Sequence, residues 1–174
     1  MKKLSIIRHA KSDWSHNLPD MDRPISQRGR NDADVMSNVI QDLNLEPQII
    51  FSSPATRTIQ TYQRLKKNIS SFSKISFIKS KMLYDFSGYN VLEFIHSIDD
   101  KYSNVMIFSH NNSCSFLTAE LGLSYIHVPT CGLLIFDFDV SLWSQVSVGK
   151  FNHYFPKSFS CLLYTSDAAD EVQC

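Results

Sequence analysis

Glycine is scarce in this chain, with five in 174 residues, at positions 29, 88, 122, 132 and 149. Neither a Gly-x-Gly-x-x-Gly turn nor a P-loop can be written with that spacing, so the common glycine-built cradles for nucleotide phosphates are excluded. An excess of charge is missing as well: 17 basic side chains face 17 acidic ones. Strong sequence-independent binding of nucleic acid, which needs a cationic surface, is not expected. Long apolar runs are also lacking. Stretches such as Leu133 to Phe136 are far shorter than the roughly 20 residues that a membrane-crossing helix needs. Met1-Lys2-Lys3 has the basic start of a signal peptide, but the apolar run behind it is interrupted by Ser5 and stopped by Arg8. Export is therefore not expected, and the chain reads as cytoplasmic. What is abundant is core-forming material. With 43% hydrophobic residues the chain is no disordered tail, and its length suits one domain.

The four cysteines invite a disulfide reading, but two of them stand in an unusual segment. From Cys161 to Glu171 the sequence is similar to one translated reading frame of the transposase adapter used in preparing sequencing libraries. Residues 161–174 are accordingly read as non-native and set aside from the fold, leaving a domain over 1–160. Cys161 and Cys174 go with them, and Cys114 and Cys131 remain as an ordinary pair of reduced thiols. Without Asp167, Asp170 and Glu171 the balance becomes 17 basic against 14 acidic side chains, a net charge of +3.

Hydrophobic periodicity sets out alternating strands and helices. Lys3 to Ile7 reads as a strand. Ser26 through Leu45 reads as an amphipathic helix, with Ala33, Met36, Val39, Ile40 and Leu43 at spacings of three and four. A strand over Ile49 to Phe51 follows, then a helix opened by Pro54 and running through Ile59, Tyr62 and Leu65. Ile75 to Ile78 and Asn104 to Phe108 read as strands, Tyr89 to Ile98 and about Asn112 to Leu121 as helices. The rhythm then changes to two strands, Gly132 to Asp137 and Ser144 to Phe151, joined by a turn at Asp139 to Leu142. Such alternation predicts an α/β three-layer sandwich: a largely parallel central sheet, helices on both faces, and an antiparallel edge from the last hairpin.

In open α/β sheets ligands bind beyond the carboxyl ends of the strands. Arg8 and His9 stand after the first strand. Ser52, Ser53 and, a helical turn on, Arg57 follow the second, and Ser109-His110-Asn111 follow the fourth. Any one of these alone reads as an ordinary surface or structural residue. Two arginines and two histidines arriving at one sheet edge from three separate segments do not. Guanidinium forks match phosphoryl oxygens in pairs, and helix N-termini add backbone donors. A neutral imidazole in such a pocket can attack phosphorus, so His9 is the candidate nucleophile, with its tautomer set by a backbone carbonyl. His110 would stabilise the charge on the equatorial oxygens.

Four segments carry a resemblance. Arg8-His9-Ala10 with Lys11-Ser12-Asp13-Trp14 behind it, Asp22-Arg23-Pro24-Ile25-Ser26-Gln27-Arg28-Gly29, Ser52-Ser53-Pro54-Ala55-Thr56-Arg57-Thr58-Ile59-Gln60-Thr61, and Phe108-Ser109-His110-Asn111 occur in this order. Over about residues 3 to 150 the chain resembles the histidine phosphatase superfamily, of phosphoglycerate mutase-like fold, in its short SixA-like branch. Ser109 stands where a glycine is usual. The resemblance implies a metal-independent phosphatase with no cofactor, in which His9 is phosphorylated and Arg8, Arg57 and His110 hold the phosphoryl group. It also places Ser15 where relatives have a phosphate-contacting side chain. Asp85 has two readings: the place of a catalytic proton donor in larger relatives, or an N-cap-like residue before the next helix. The connections are short, and Ser70 to Lys81 offers little more than a loop and a strand. An uncapped site fits a phosphorylated protein, with phosphohistidine on a signalling protein the expected substrate. Small phosphate esters and a non-catalytic phosphoryl-binding module are the alternatives. The implied protein is a monomer, with no membrane or nucleic-acid partner.

Rival chemistries fit poorly. Leu134-Ile135-Phe136-Asp137-Phe138-Asp139 imitates the motif of magnesium-dependent phosphatases of the haloacid dehalogenase type, yet too little chain follows for its remaining ligands. A cysteine phosphatase needs arginine six positions after its cysteine, where Glu120 and Asp137 stand after Cys114 and Cys131. His110 and Cys114 could share a helix face, but no further metal ligands have suitable spacing.

Overall fold

In the computed structural model, which describes residues 1–15 and 17–159, six strands form one sheet in the order β3-β2-β4-β1-β5-β6. The strands are β1 (Lys2–Arg8), β2 (Ile49–Ser52), β3 (Ser76–Lys79), β4 (Asn104–Ser109), β5 (Leu133–Phe138) and β6 (Lys150–Tyr154). β1 to β4 run parallel, and β5 and β6 return antiparallel at one side, as the change of rhythm predicts. The helices are α1 (Gln27–Asp42), α2 (Thr56–Asn68), α3 (Tyr89–His96) and α4 (Ser113–Gly122). The adapter-like segment 161–174 lies outside the described residues. Among the described residues no helix is long and apolar enough to cross a membrane.

Strand side chains alternate between two cores. Leu4, Ile6, Val105, Ile107, Leu134 and Phe136 face one layer together with Val91 and Ile95 of α3 and Leu117 and Leu121 of α4. Ile7, Met106, Phe108, Leu133 and Ile135 face the other with Ala33, Met36, Val39 and Ile40 of α1 and Tyr62 and Leu65 of α2. Period-two strands between period-3.6 helices thus fill both faces of the sheet. This topology places β4 between β2 and β1. The helices leaving β1 and β4 therefore go to opposite faces, and a crevice opens between the carboxyl ends of those two strands. The His9 amide donates across it to the Ser109 carbonyl at 3.0 Å.

Several boundaries differ from the sequence reading, three of them with a visible physical cause. Ser26 caps α1 instead of beginning it, its hydroxyl accepting from the Gly29 amide at 3.1 Å. Pro54 precedes α2, which starts at Thr56, because Ala55 is still extended with ψ 141° and serves as the cap. The last strand starts at Lys150, not Ser144. Trp143 is fully buried, with its indole N–H donating to the Tyr102 carbonyl at 2.8 Å and its amide to Asp100 at 2.7 Å. Those anchors turn Trp143–Gln145 into a 3-10 turn under α3, so the chain reaches the sheet edge later.

Candidate active site

His9 leaves β1 with its ring buried. Nδ1 lies 2.8 Å from the Ala10 carbonyl, which can only accept, so Nδ1 carries the proton and Nε2 presents its lone pair. The Ala10 amide is itself held, donating to Thr61 Oγ1 at 2.9 Å, while Thr61 donates to the Arg57 carbonyl at 2.6 Å. Helix α2 therefore fixes the segment that orients His9. Burial lowers the His9 pKa to about 3 against the Ala10 hydrogen bond, which raises it; Arg57, Arg8 and Arg23 lower it further. An imidazole so placed stays neutral at any physiological pH.

His110 follows β4, fully buried, its ring centroid 5.3 Å from that of His9. Arg57 Nη2 reaches its Nδ1 at 3.1 Å. A guanidinium only donates, so Nδ1 is the acceptor and Nε2–H donates to Ser53 Oγ at 2.7 Å. Burial, then His9 and Arg57, lower the His110 pKa to about 2. Tyr84 and Phe86 each pack 5.1 Å from its ring. Arg8 donates to the Val128 carbonyl at 2.5 Å, and Arg57 is buried to 1% exposure. The structure thus brings Arg8, His9, Arg57 and His110 together, as their positions at the strand ends predict.

Two further residues join them that the sequence reading did not assign to the site. Arg23 is buried, its guanidinium stacked 3.5 Å from the ring centroid of the exposed Trp14. Asp20, in the 3-10 turn Asp20–Asp22, accepts from Arg23, from Arg57 Nη2 at 2.8 Å and from the Tyr84 hydroxyl at 2.6 Å. Burial raises the Asp20 pKa, but the hydrogen bonds from Tyr84, Arg23 and Arg57 outweigh it and hold the carboxyl below the ordinary carboxylate range. A signal for Arg23 was present: an arginine fixed in extended backbone by Pro24, with a tryptophan nine residues before it. For Asp20 there was none, because only the folded loop carries it to Arg57. Among the described residues, the buried side-chain nitrogens and oxygens without a hydrogen-bond partner are Arg8 Nε, Arg23 Nη1, Arg57 Nε and Asn111 Oδ1. Three of these four are guanidinium nitrogens, which accords with a site built for anions.

The other two candidates fall elsewhere. Both carboxylate oxygens of Asp85 are taken up by the start of α3. Oδ1 accepts from the Ser87 amide at 2.9 Å and hydroxyl at 2.8 Å, and Oδ2 from the amides of Gly88 at 2.7 Å and Asn90 at 3.2 Å. Burial raises its pKa, but these hydrogen bonds win and keep it lowered. Of its two readings, the structure supports the cap, since a carboxylate held ionised by four donors makes a poor proton donor. Ser15 gives its hydroxyl to Asp13 at 2.7 Å in a local turn and stands on the rim. It lines a surface cavity of about 410 Å³ with Trp14, Asn17, Leu18, Asp20 and Arg23. Among the described residues, no group of three or more His, Cys, Asp or Glu side chains could hold a metal ion.

Comparison with known proteins agrees with this geometry. A sequence profile of the histidine phosphatase superfamily (branch 1) matches residues 4–82, which include Arg8, His9 and Arg57. An uncharacterised chloroplast protein of Arabidopsis thaliana is 28% identical over 152 residues, spanning 83% of this chain and 70% of that protein. The structure of SixA from Agrobacterium tumefaciens, a candidate phosphohistidine phosphatase, superposes with a TM-score of 0.69 at 26% identity, covering 78% of this chain and 91% of its own. The fold is shared more completely with a protein histidine phosphatase SixA complexed with tungstate, at a TM-score of 0.76 and 21% identity, over 90% of this chain and 98% of that one.

Proposed function

We propose that this chain, which resembles the histidine phosphatase superfamily in its SixA-like branch, is a phosphatase that hydrolyses phosphohistidine on a protein by way of its own His9. The observation that carries this reading is the state of the carboxylates. Asp20 and Asp85 are both held ionised by hydrogen bonds. Expelling an alkoxide needs a general acid, whereas an imidazole nitrogen leaves phosphorus readily. A site with a neutral nucleophile, cationic forks and no protonated carboxyl suits the P–N bond.

In the first step His9 Nε2 attacks phosphorus. The bond to the substrate imidazole breaks, and that nitrogen departs with the bonding electron pair and takes a proton from solvent. Arg8, Arg57 and Arg23 supply positive charge at the phosphoryl oxygens, and they do so in a buried place where charge acts strongly. Water then attacks the phosphoryl group on His9, releasing orthophosphate and restoring Nε2. The guanidinium groups supply the charge that a metal ion provides in other phosphatases, and the reading assigns no metal. Access supports a protein substrate. Trp14 and Phe86, 70% and 44% exposed, stand beside Arg23 and His110 and offer an aromatic rim to a presented side chain.

The test compares hydrolysis of a phosphohistidine protein with that of sugar and nucleotide phosphates. Phosphohistidine is expected to turn over fastest, with a phosphoryl mass increment trapped on His9, and His9→Ala is expected to abolish turnover. Preference for a small ester would transfer the reading to metabolites, and turnover retained by His9→Ala would overturn the mechanism.

A further inference from the structure

Asp20 engages the Arg57 and Arg23 guanidinium groups that the proposed reaction assigns to the phosphoryl oxygens. Its Oδ2 lies 2.8 Å from Arg57 Nη2, the nitrogen that also touches His110, and its Oδ1 meets Arg23 Nη2. Its backbone carbonyl accepts from Arg57 Nη1 as well. One loop residue thus engages both guanidinium groups, while Arg57 Nε and Arg23 Nη1, both buried, have no partner. The side chain is 43% exposed and rides on a three-residue turn outside the sheet and the helices. We propose that Asp20 is an internal competitor for the phosphoryl subsite, and that it determines which anions enter.

The physical argument is one of matched donors. A tethered carboxylate faces the two guanidinium groups at an effective concentration on the order of millimolar. A free monoanionic carboxylate offers the same two oxygens and the same charge, so it gains nothing by displacing Asp20. A phosphoryl group brings further negative charge and a third oxygen, and it can reach guanidinium nitrogens that Asp20 leaves unpaired. The competitor thereby excludes carboxylate ligands and admits phosphoryl groups, with the apparent affinity scaled down by the fraction of time it leaves the site free.

This inference rests on the phosphatase reading, and the experiment separates the two. Orthophosphate binding is measured by calorimetry and KM by turnover, for the wild type, Asp20→Asn, Tyr84→Phe and Asp22→Asn. Asp20→Asn is expected to bind orthophosphate about tenfold more tightly, with KM falling in parallel, and to become inhibited by acetate at concentrations that leave the wild type unaffected. Tyr84→Phe keeps the charge but removes one donor from the carboxylate, and is expected to tighten binding by about two- to threefold. Asp22→Asn, changed at an exposed neighbour in the same turn, should match the wild type. Equal tightening in Asp22→Asn would reduce the effect to general charge and overturn the proposal. So would unchanged or weaker phosphate binding by Asp20→Asn, and so would a loss of kcat with phosphate affinity unchanged, the mark of a proton donor. A wild type that neither binds orthophosphate nor hydrolyses a phosphoryl substrate would overturn the phosphatase reading instead.

Discussion

At the scale of single residues, two buried imidazoles tie the site to stability. The pKa values of His9 and His110 lie at about 3 and about 2, below the ordinary 6.5, chiefly because burial penalises the charged ring. In the unfolded chain both rings take up protons below pH 6.5, while in the folded protein they stay neutral. Their contribution to stability is therefore full above pH 6.5 and is lost as pH falls toward 3, each ring costing at most about 1.4 kcal/mol per pH unit. Thermal unfolding between neutrality and about pH 5 should show this slope, flattened in His9→Asn; an unchanged slope would remove His9 from the account. Asp85 makes a second prediction. As a cap with four donors, Asp85→Ala should destabilise the fold by about 1 kcal/mol and lower activity on phosphohistidine and on alkyl phosphates alike. A selective loss on the alkyl ester would restore it as a proton donor. Arg8, His9, Arg57 and His110 were legible as residues because each follows a strand directly or by one helical turn. Asp20 was not, since nothing local distinguishes it from the other aspartates of its loop.

At the scale of elements, the segment between β1 and α1 is held in place by the helices. The amide of Ile25 donates to Gln60 of α2 at 2.8 Å, and Ser26 joins the Lys11 carbonyl through its amide at 2.8 Å and its hydroxyl at 3.1 Å. Gly29, in the first turn of α1, packs on the Lys11 backbone, and a Cβ there would collide with it. Gly29→Ala should thus push α1 away from the loop that carries Arg23 and Asp20, destabilising by about 1–3 kcal/mol and raising KM more than it lowers kcat. Denaturant unfolding together with steady-state kinetics checks both. Helices α1 to α4 were legible from their periodicity, but their starts were not. Whether Ser26 or Pro54 opens a helix depends on where the preceding loop is pinned. The shift of β6 has the same origin, for Trp143 is drawn into the core by partners more than forty positions away in sequence.

At the scale of the whole molecule, the proposed phosphoryl site joins residues from β1, α2, the end of β4 and the loop before α1. Ligand binding therefore acts on the whole fold. Orthophosphate at a hundredfold excess over its Kd should raise unfolding free energy by about 2.7 kcal/mol, seen as an increase in Tm that is absent in Arg57→Lys, which keeps the charge but loses the fork. An equal increase in both would detach Arg57 from the anion. The two cysteines among the described residues add no covalent tie. Cys114 and Cys131 are free and fully buried, and burial pushes the Cys114 thiol up to about 12. The amino-acid sequence by itself determined the alternation of strands and helices, the parallel sheet with its antiparallel side, and the gathering of Arg8, His9, Arg57 and His110 at one sheet edge, because periodicity and strand ends are local properties. Only the tertiary structure decided that Arg23 and Asp20 belong to the site and that Asp85 caps a helix. Asp20 meets Arg57 and Tyr84 across tens of residues, and such pairings leave no local trace; the donors to Asp85 are local, but only the folded turn aims them at its carboxylate.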